Sequence, residues 1–179
     1  MKMIKTHEKE LCSGCGTCAL VCPQKCITYS NDYLGNPFAV VDTSVCIGCG
    51  ACEKVCPIQK TFNQNSIGIT AYAAYARDDK VRYRGSSGGM FETIAEWILS
   101  LKGSVFASRF DENLRLRMFE ASTEDEVKQL TKSKYLQSDV SKSFPTIRDR
   151  IRSGMIVLVC STPCHIAALK NYLGKDAES

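Results

Sequence analysis

The sequence predicts an α+β protein built in two pieces, and three observations predict it. Nine of the eleven cysteines fall between residues 12 and 56, which sets a cysteine-rich N-terminal third apart from the rest. Beyond it, short β-branched and aromatic runs alternate with stretches whose apolar residues recur at helical spacing. A chain of 179 residues, 44% of them hydrophobic, can bury one ordinary core and one small appended domain. The boundary is expected near residue 65, where Thr61-Phe62-Asn63-Gln64-Asn65-Ser66 turns polar, giving pieces 1–65 and 66–179.

Charge and hydropathy exclude several classes. The 23 basic and 19 acidic residues are spread without runs, so no nucleic-acid-binding arm is expected. The longest apolar run, Met155 to Cys160, is of strand length, far short of the roughly 18 residues a membrane span needs. The N-terminus carries charge with no apolar stretch behind it, so the sequence predicts no membrane span, no secretory signal and a cytoplasmic address. In that reducing setting, with an odd cysteine count, thiolate ligands to metal are favoured over disulfides.

The cysteine spacing is the most specific signal. Cys12, Cys15, Cys18 and Cys22-Pro23 follow C-x2-C-x2-C-x3-C-P, and Cys46, Cys49, Cys52 and Cys56-Pro57 repeat it 34 residues later. Thiolates at this spacing can wrap one face of a cubane, and Gly14, Gly16, Gly48 and Gly50 let backbone amides approach its sulfides. Zinc is the alternative, although four thiolates for zinc normally come as two separated pairs rather than as one run. Over roughly residues 8–60 the segment resembles the 2x(4Fe-4S) ferredoxin family. The resemblance implies crossed ligand sets, Cys12, Cys15, Cys18 and Cys56 for one cluster and Cys46, Cys49, Cys52 and Cys22 for the other. Cys26 has no ligand slot and is expected to be a small packed residue.

Between the motifs, Ile27–Ser30 and Phe38–Asp42 flank a turn-rich stretch and predict a small hairpin. After the boundary, Ile69–Tyr75 reads as a strand leading to Arg82-Tyr83-Arg84-Gly85-Ser86-Ser87-Gly88-Gly89, a glycine–serine loop flanked by arginines. Met90, Phe91, Ile94, Trp97, Ile98 and Leu101 then form a helical stripe, with Trp97 read as core. Free N–H groups at that helix start, with Ser86, Ser87, Arg82 and Arg84, could hold a phosphate; a flexible turn with an N-cap serine accounts for the same residues.

Residues 103–108 and 116–121 predict two strands joined near Asp111, and Thr123-Glu124-Asp125-Glu126 is a capping box opening a short helix. A polar loop containing Lys132 and Lys134 and a helix over 144–152 follow. The last element is strand, tight turn and helix: Met155 to Cys160, then Ser161-Thr162-Pro163-Cys164-His165. Proline suits the first helical position, so Cys164 falls in the first turn, where a thiolate is favoured to bind metal or react; a chance Cys-His neighbour pair is equally compatible. Cys160 is read as core.

Taken in order, the two cysteine runs, Tyr83–Gly89, Ser133-Lys134-Tyr135-Leu136-Gln137-Ser138 and Thr162-Pro163-Cys164-His165 resemble the coenzyme F420 hydrogenase/dehydrogenase beta subunit family. The resemblance implies an iron–sulfur flavoprotein oxidoreductase that binds FAD and moves electrons between a ferredoxin-like or hydrogenase-like partner and a two-electron acceptor, coenzyme F420 among the candidates. It further implies that Ser86, Ser87, Gly88 and Gly89 approach the FAD, that Lys134 and Tyr135 line its site, and that Cys164 ligates a further cluster. Family members continue past the last helix, so the expected architecture is a small two-cluster ferredoxin-like domain followed by an incomplete α/β flavin-binding domain, which a second chain would complete. The competing reading is a non-catalytic two-cluster electron carrier without flavin.

Overall fold

Two cysteine runs with the same spacing adopt the same backbone. In the computed structural model, which describes residues 11–59 and 70–177, helix α1 (Thr17–Val21) starts at Gly16 and helix α2 (Ala51–Val55) at Gly50, both in the left-handed region at φ 81° and 71°. Each ends at a cysteine in extended geometry, Cys22 and Cys56, because the following proline disfavours helical backbone in the residue before it. Gly16 is required sterically as well, since a Cβ there would lie 2.5 Å from the Ser141 Cβ.

Between the helices, β1 (Ile27–Asn31) and β2 (Pro37–Val41) pair antiparallel from Ile27–Val41 to Asn31–Pro37, as the sequence predicts. The Asp32 carboxylate closes their turn by accepting from the Leu34 and Asn36 N–H groups at 2.9 and 2.8 Å. Cys18, Cys26, Ile27 and Ala39 form the local core, so Cys26 is packed as expected.

The chain divides into two compact units, the first comprising Met1–Thr61, Asp139–Pro145 and Ser161–Ser179 and the second Phe62–Ser138 and Thr146–Cys160. The first therefore includes α7 (Pro163–Leu173), which has Pro163 in its first turn as expected and buries His165, Ala168, Leu169 and Leu173 along one stripe. Its Asn171 amide donates to the Val55 carbonyl at 3.3 Å, at the end of α2. The Tyr172 ring lies 5.9 Å from that of fully buried Phe144.

The second unit is built on a three-stranded sheet whose central strand is the first of the three in the chain. Strand β3 (Ser104–Phe110) pairs antiparallel with β4 (Leu116–Ala121) and parallel with β5 (Val157–Val159), so the molecule is mixed α+β. Helices α4 (Met90–Ser100) and α5 (Glu124–Leu130) contribute Ala95, Ile98, Val127 and Leu130 to a core shared with Val105, Ala107 and Ala121. Helix α6 (Phe144–Arg152) buries Ile147 completely.

Two sequence expectations are corrected here. Residues 70–76 form no strand; instead of joining a ladder, Ala76 donates its N–H to the Gly88 carbonyl at 2.7 Å, and a further helix, α3 (Asp79–Arg84), follows. Residue 69 lies outside the described residues. Trp97 is not core, being 60% exposed, and Ile94 and Leu101 are exposed too. The buried face of α4 runs through Ala95 and Ile98 with Phe91 and Leu99 beside it, because a small alanine lets the helix approach the sheet closely.

The capping box is complete, Thr123 accepting from the Glu126 N–H and Glu126 accepting from the Thr123 N–H. Thr123→Ala is expected to cost about 1 kcal/mol. Chemical denaturation checks it, and an unchanged midpoint would mean that the cap contributes nothing.

Candidate functional site

The chemistry-bearing side chains of the first unit fall into two groups. Cys22, Cys46, Cys49 and Cys52 line one cavity together with Cys26, Ile27, Val41 and Ile47. It is open in part to solvent. Among the described residues, no three His, Cys, Asp or Glu side chains converge at single-ion distances.

Cys12, Cys15, Cys18 and Cys56 are electrostatic neighbours. Burial pushes the Cys18 thiol up to about 12, with the charges of Cys15 and Cys12 adding to it. Cys56 is likewise raised by burial first and by Cys15 and Cys12. Cys18 and Cys56 resist ionisation for these reasons, and a cationic iron core would reverse the sign by favouring their thiolates. The donor set is all sulfur, which suits iron–sulfur clusters.

Polar groups already point at these sulfurs. Tyr29 Oη lies 3.1 Å from Cys18 Sγ, and the fully buried Thr17 hydroxyl donates to Cys15 Sγ at 3.5 Å. At Cys22, burial raises the thiol, yet the Cys26, Gln24 and Lys25 N–H groups and the Cys26 side chain hold it below its ordinary value. Sequence reading missed Tyr29 and Thr17. The alternation of β1 carried the signal for Tyr29, since Ile27 and Tyr29 share a face that packs toward the cysteines.

In the second unit, the loop Gly85–Gly89 and the segment 133–135 are brought together, because Ser86 Oγ accepts from the Ser133 N–H at 3.0 Å. Gly88 and Gly89 are left-handed at φ 85° and 76°, and Ser87 is also at positive φ, 50°. A Cβ at Gly89 would lie 2.8 Å from the Val81 carbonyl oxygen, so α3 and α4 meet only because this residue is glycine. Tyr135 is fully presented to solvent, 93% exposed. Lys134 is partly buried, its Nζ donating to the Leu130 and Thr131 carbonyls at 2.7 and 2.6 Å, where it caps α5.

The arginines expected to serve a phosphate are otherwise engaged. Arg84 forms a forked pair with Glu92, which is 1% exposed and sits in the first turn of α4. Arg82 pairs with Asp79 and lies 5.4 and 5.5 Å from the Tyr75 and Tyr83 ring centres. A carboxylate in the first turn of α4 already complements the positive end of that helix.

Cys164 lies in the first turn of α7, its sulfur 3.2 Å from Thr162 Oγ1. His165 is buried against Ser161, whose hydroxyl lies 3.0 Å from Nδ1, and burial holds its imidazole below the usual range. Cys160 is exposed rather than core: β5 ends at Val159, one residue before it.

Residues 11–60 match the 4Fe-4S dicluster domain, and residues 71–144 match the coenzyme F420 hydrogenase/dehydrogenase, beta subunit N-terminal domain. The first match contains all eight motif cysteines, and the second contains Ser86–Gly89, Lys134 and Tyr135; Cys164 lies outside both. A search of curated proteins finds no match.

Proposed function

We propose, from the premise that the chain belongs to the 4Fe-4S dicluster family over residues 11–60 and to the F420 hydrogenase/dehydrogenase beta subunit N-terminal family over residues 71–144, that it is an iron–sulfur oxidoreductase. It passes electrons between a ferredoxin-like or hydrogenase-like redox protein and a flavin-bound two-electron acceptor, with coenzyme F420 as the candidate substrate. The observation that supports this reading is that Cys22 of the first run lines a cavity with Cys46, Cys49 and Cys52 of the second, while Cys56 of the second run feels the charges of Cys15 and Cys12 of the first.

Cys12, Cys15, Cys18 and Cys56 would hold one cluster and Cys46, Cys49, Cys52 and Cys22 the other. Bound clusters supply one-electron redox sites and bound FAD collects electrons in pairs for a hydride acceptor. This chain's own residues do the rest. Tyr29, Thr17 and the N–H groups around Cys22 direct hydrogen bonds at ligand sulfurs, which favours the more negative, reduced state. Ser86–Gly89 would approach the FAD through their backbone, and Lys134 and the exposed Tyr135 would line its site. Cys164 is retained as a candidate ligand of a further cluster. No helix of the described residues is long and apolar enough to cross a membrane.

One observation favours the second reading, a carrier without flavin: Arg84 and Arg82 are both paired with carboxylates rather than left for a pyrophosphate. Iron, acid-labile sulfide and flavin per chain after anaerobic purification decide between them. About eight irons with about one FAD are expected for the oxidoreductase. About eight irons with no flavin, even after FAD and a redox partner chain are added, would establish the carrier. Zinc without sulfide would end both readings.

A further inference from the structure

Cys26 is the one cysteine of the first unit's cavity that the ligand pattern leaves over, and its position is fixed from both sides. Upstream, the Lys25 N–H donates to the Cys22 carbonyl at 3.2 Å, and Lys25 is left-handed at φ 51°, closing a tight turn that folds Cys26 back under Cys22. Downstream, Cys26 immediately precedes β1, and its carbonyl accepts from the Asp42 N–H at 2.8 Å. Its side chain is 7% exposed and packs with Cys18, Ile27 and Ala39. The result is a Cys22 Sγ to Cys26 Sγ distance of 3.5 Å, inside the cavity that Cys46, Cys49 and Cys52 also line.

We infer that Cys26 is a positioning residue that donates an S–H hydrogen bond to the Cys22 ligand sulfur and so raises the reduction potential of the cluster held by Cys22, Cys46, Cys49 and Cys52, and of that cluster alone. The inference rests on the ligand assignment above. A ligating cysteine is a thiolate with no proton to give, whereas Cys26 stands outside the ligand pattern as a thiol, its sulfur 3.5 Å from that of Cys22. Of the two sulfurs, only Cys26 can then donate. A hydrogen bond to a ligand sulfur disperses negative charge, and the reduced cluster carries one charge more, so the reduced state gains most. At the corresponding place after the second run, where Cys56-Pro57 is followed by Ile58-Gln59-Lys60, the residue four beyond Cys56 is Lys60 rather than a thiol. The sequence thus supplies an extra thiol four residues after the first run and none after the second.

The test is a potentiometric titration, followed by electron paramagnetic resonance, of wild type, Cys26→Ala and Cys26→Ser. Cys26→Ala should lower one midpoint, making that cluster several-fold harder to reduce, where tenfold corresponds to 59 mV for one electron. The other midpoint should not move. Cys26→Ser, which keeps a donor, should match or exceed wild type. A fall in both variants, a shift of both clusters together or no shift in either would overturn the inference. Should Cys26→Ala fail to assemble, the Ser variant and an infrared measurement still decide. The S–H stretch lost in Cys26→Ser must lie below that of a free thiol, and a band at the free-thiol position would overturn the donor role. Iron and sulfide content separates the two levels: wild type lacking clusters defeats the ligand assignment, whereas two intact clusters with unmoved midpoints defeat only this inference.

Discussion

Cys15→Ser is expected to take iron from about eight to about four atoms per chain, while Cys26→Ser keeps about eight. Cys15 is buried, accepts the Thr17 hydroxyl hydrogen bond, and shares its electrostatic neighbourhood with Cys12, Cys18 and Cys56. A serine oxygen is a harder, more basic donor than a thiolate and binds iron less well in such a set. The crossed assignment sharpens the expectation. Cys22→Ser, although it lies in the first run, should remove the cluster held by the second run and leave that of Cys12, Cys15, Cys18 and Cys56. Reduced wild type should show magnetic coupling between two clusters, and each single-cluster variant an isolated signal. Equal iron loss in Cys15→Ser and Cys26→Ser would overturn the ligand assignment. Loss of both clusters in every variant would mean that assembly is cooperative and that the pairing cannot be read from stoichiometry.

What the sequence made legible was whatever local spacing dictates. The cysteine runs determine two helix starts at Gly16 and Gly50 and two extended ends before proline, and the hairpin, the α4 helix and the Thr123 capping box are equally local. What stayed hidden depends on partners distant in the chain. Ile69–Tyr75 has the composition of a strand, but composition does not supply an edge to pair with, and Ala76 bonds to Gly88 instead. Trp97 matched the helical stripe, yet Ala95, too small to dominate an apolar pattern, marks the buried face. Arg84 looked free for phosphate because its partner Glu92 stands eight residues away across a turn. Cys26 was legible as packed, but its approach to Cys22 required the Lys25 turn, which no residue-type preference announces. The association of residues 139–145 and 161–179 with the cysteine-rich unit is likewise a consequence of packing, visible in Asn171 and Tyr172 and in no motif.

Phe106→Ala is expected to destabilise the second unit by about 3–5 kcal/mol, a large share of the ~5–15 kcal/mol that holds a typical domain. Phe106 is 1% exposed on the central strand, opposite Glu120 of β4 and Val159 of β5. Its carbonyl accepts from the Cys160 N–H at 2.8 Å, so the backbone on which the side chain sits is fixed and cannot move to fill the space left behind. The face it shares with Ser104 is also polar in part. Ser104 donates to Glu120 at 2.6 Å, and Arg150 donates to the same carboxylate at 2.8 and 3.1 Å. Side chains at alternate positions on one strand face the same way, so removing the ring admits water to an interaction that it now shields. Both effects act in one direction. For a unit of this size about 1 kcal/mol moves the melting temperature by roughly 4–8 °C, so calorimetry should register a fall on the order of 15 °C or more. Phe106→Leu, which retains most of the buried volume, should cost distinctly less. If both variants melt within a few degrees of wild type, Phe106 fills no close-packed site, and the sheet must be held instead by the α4–α5 face, through Val105 and Ala107.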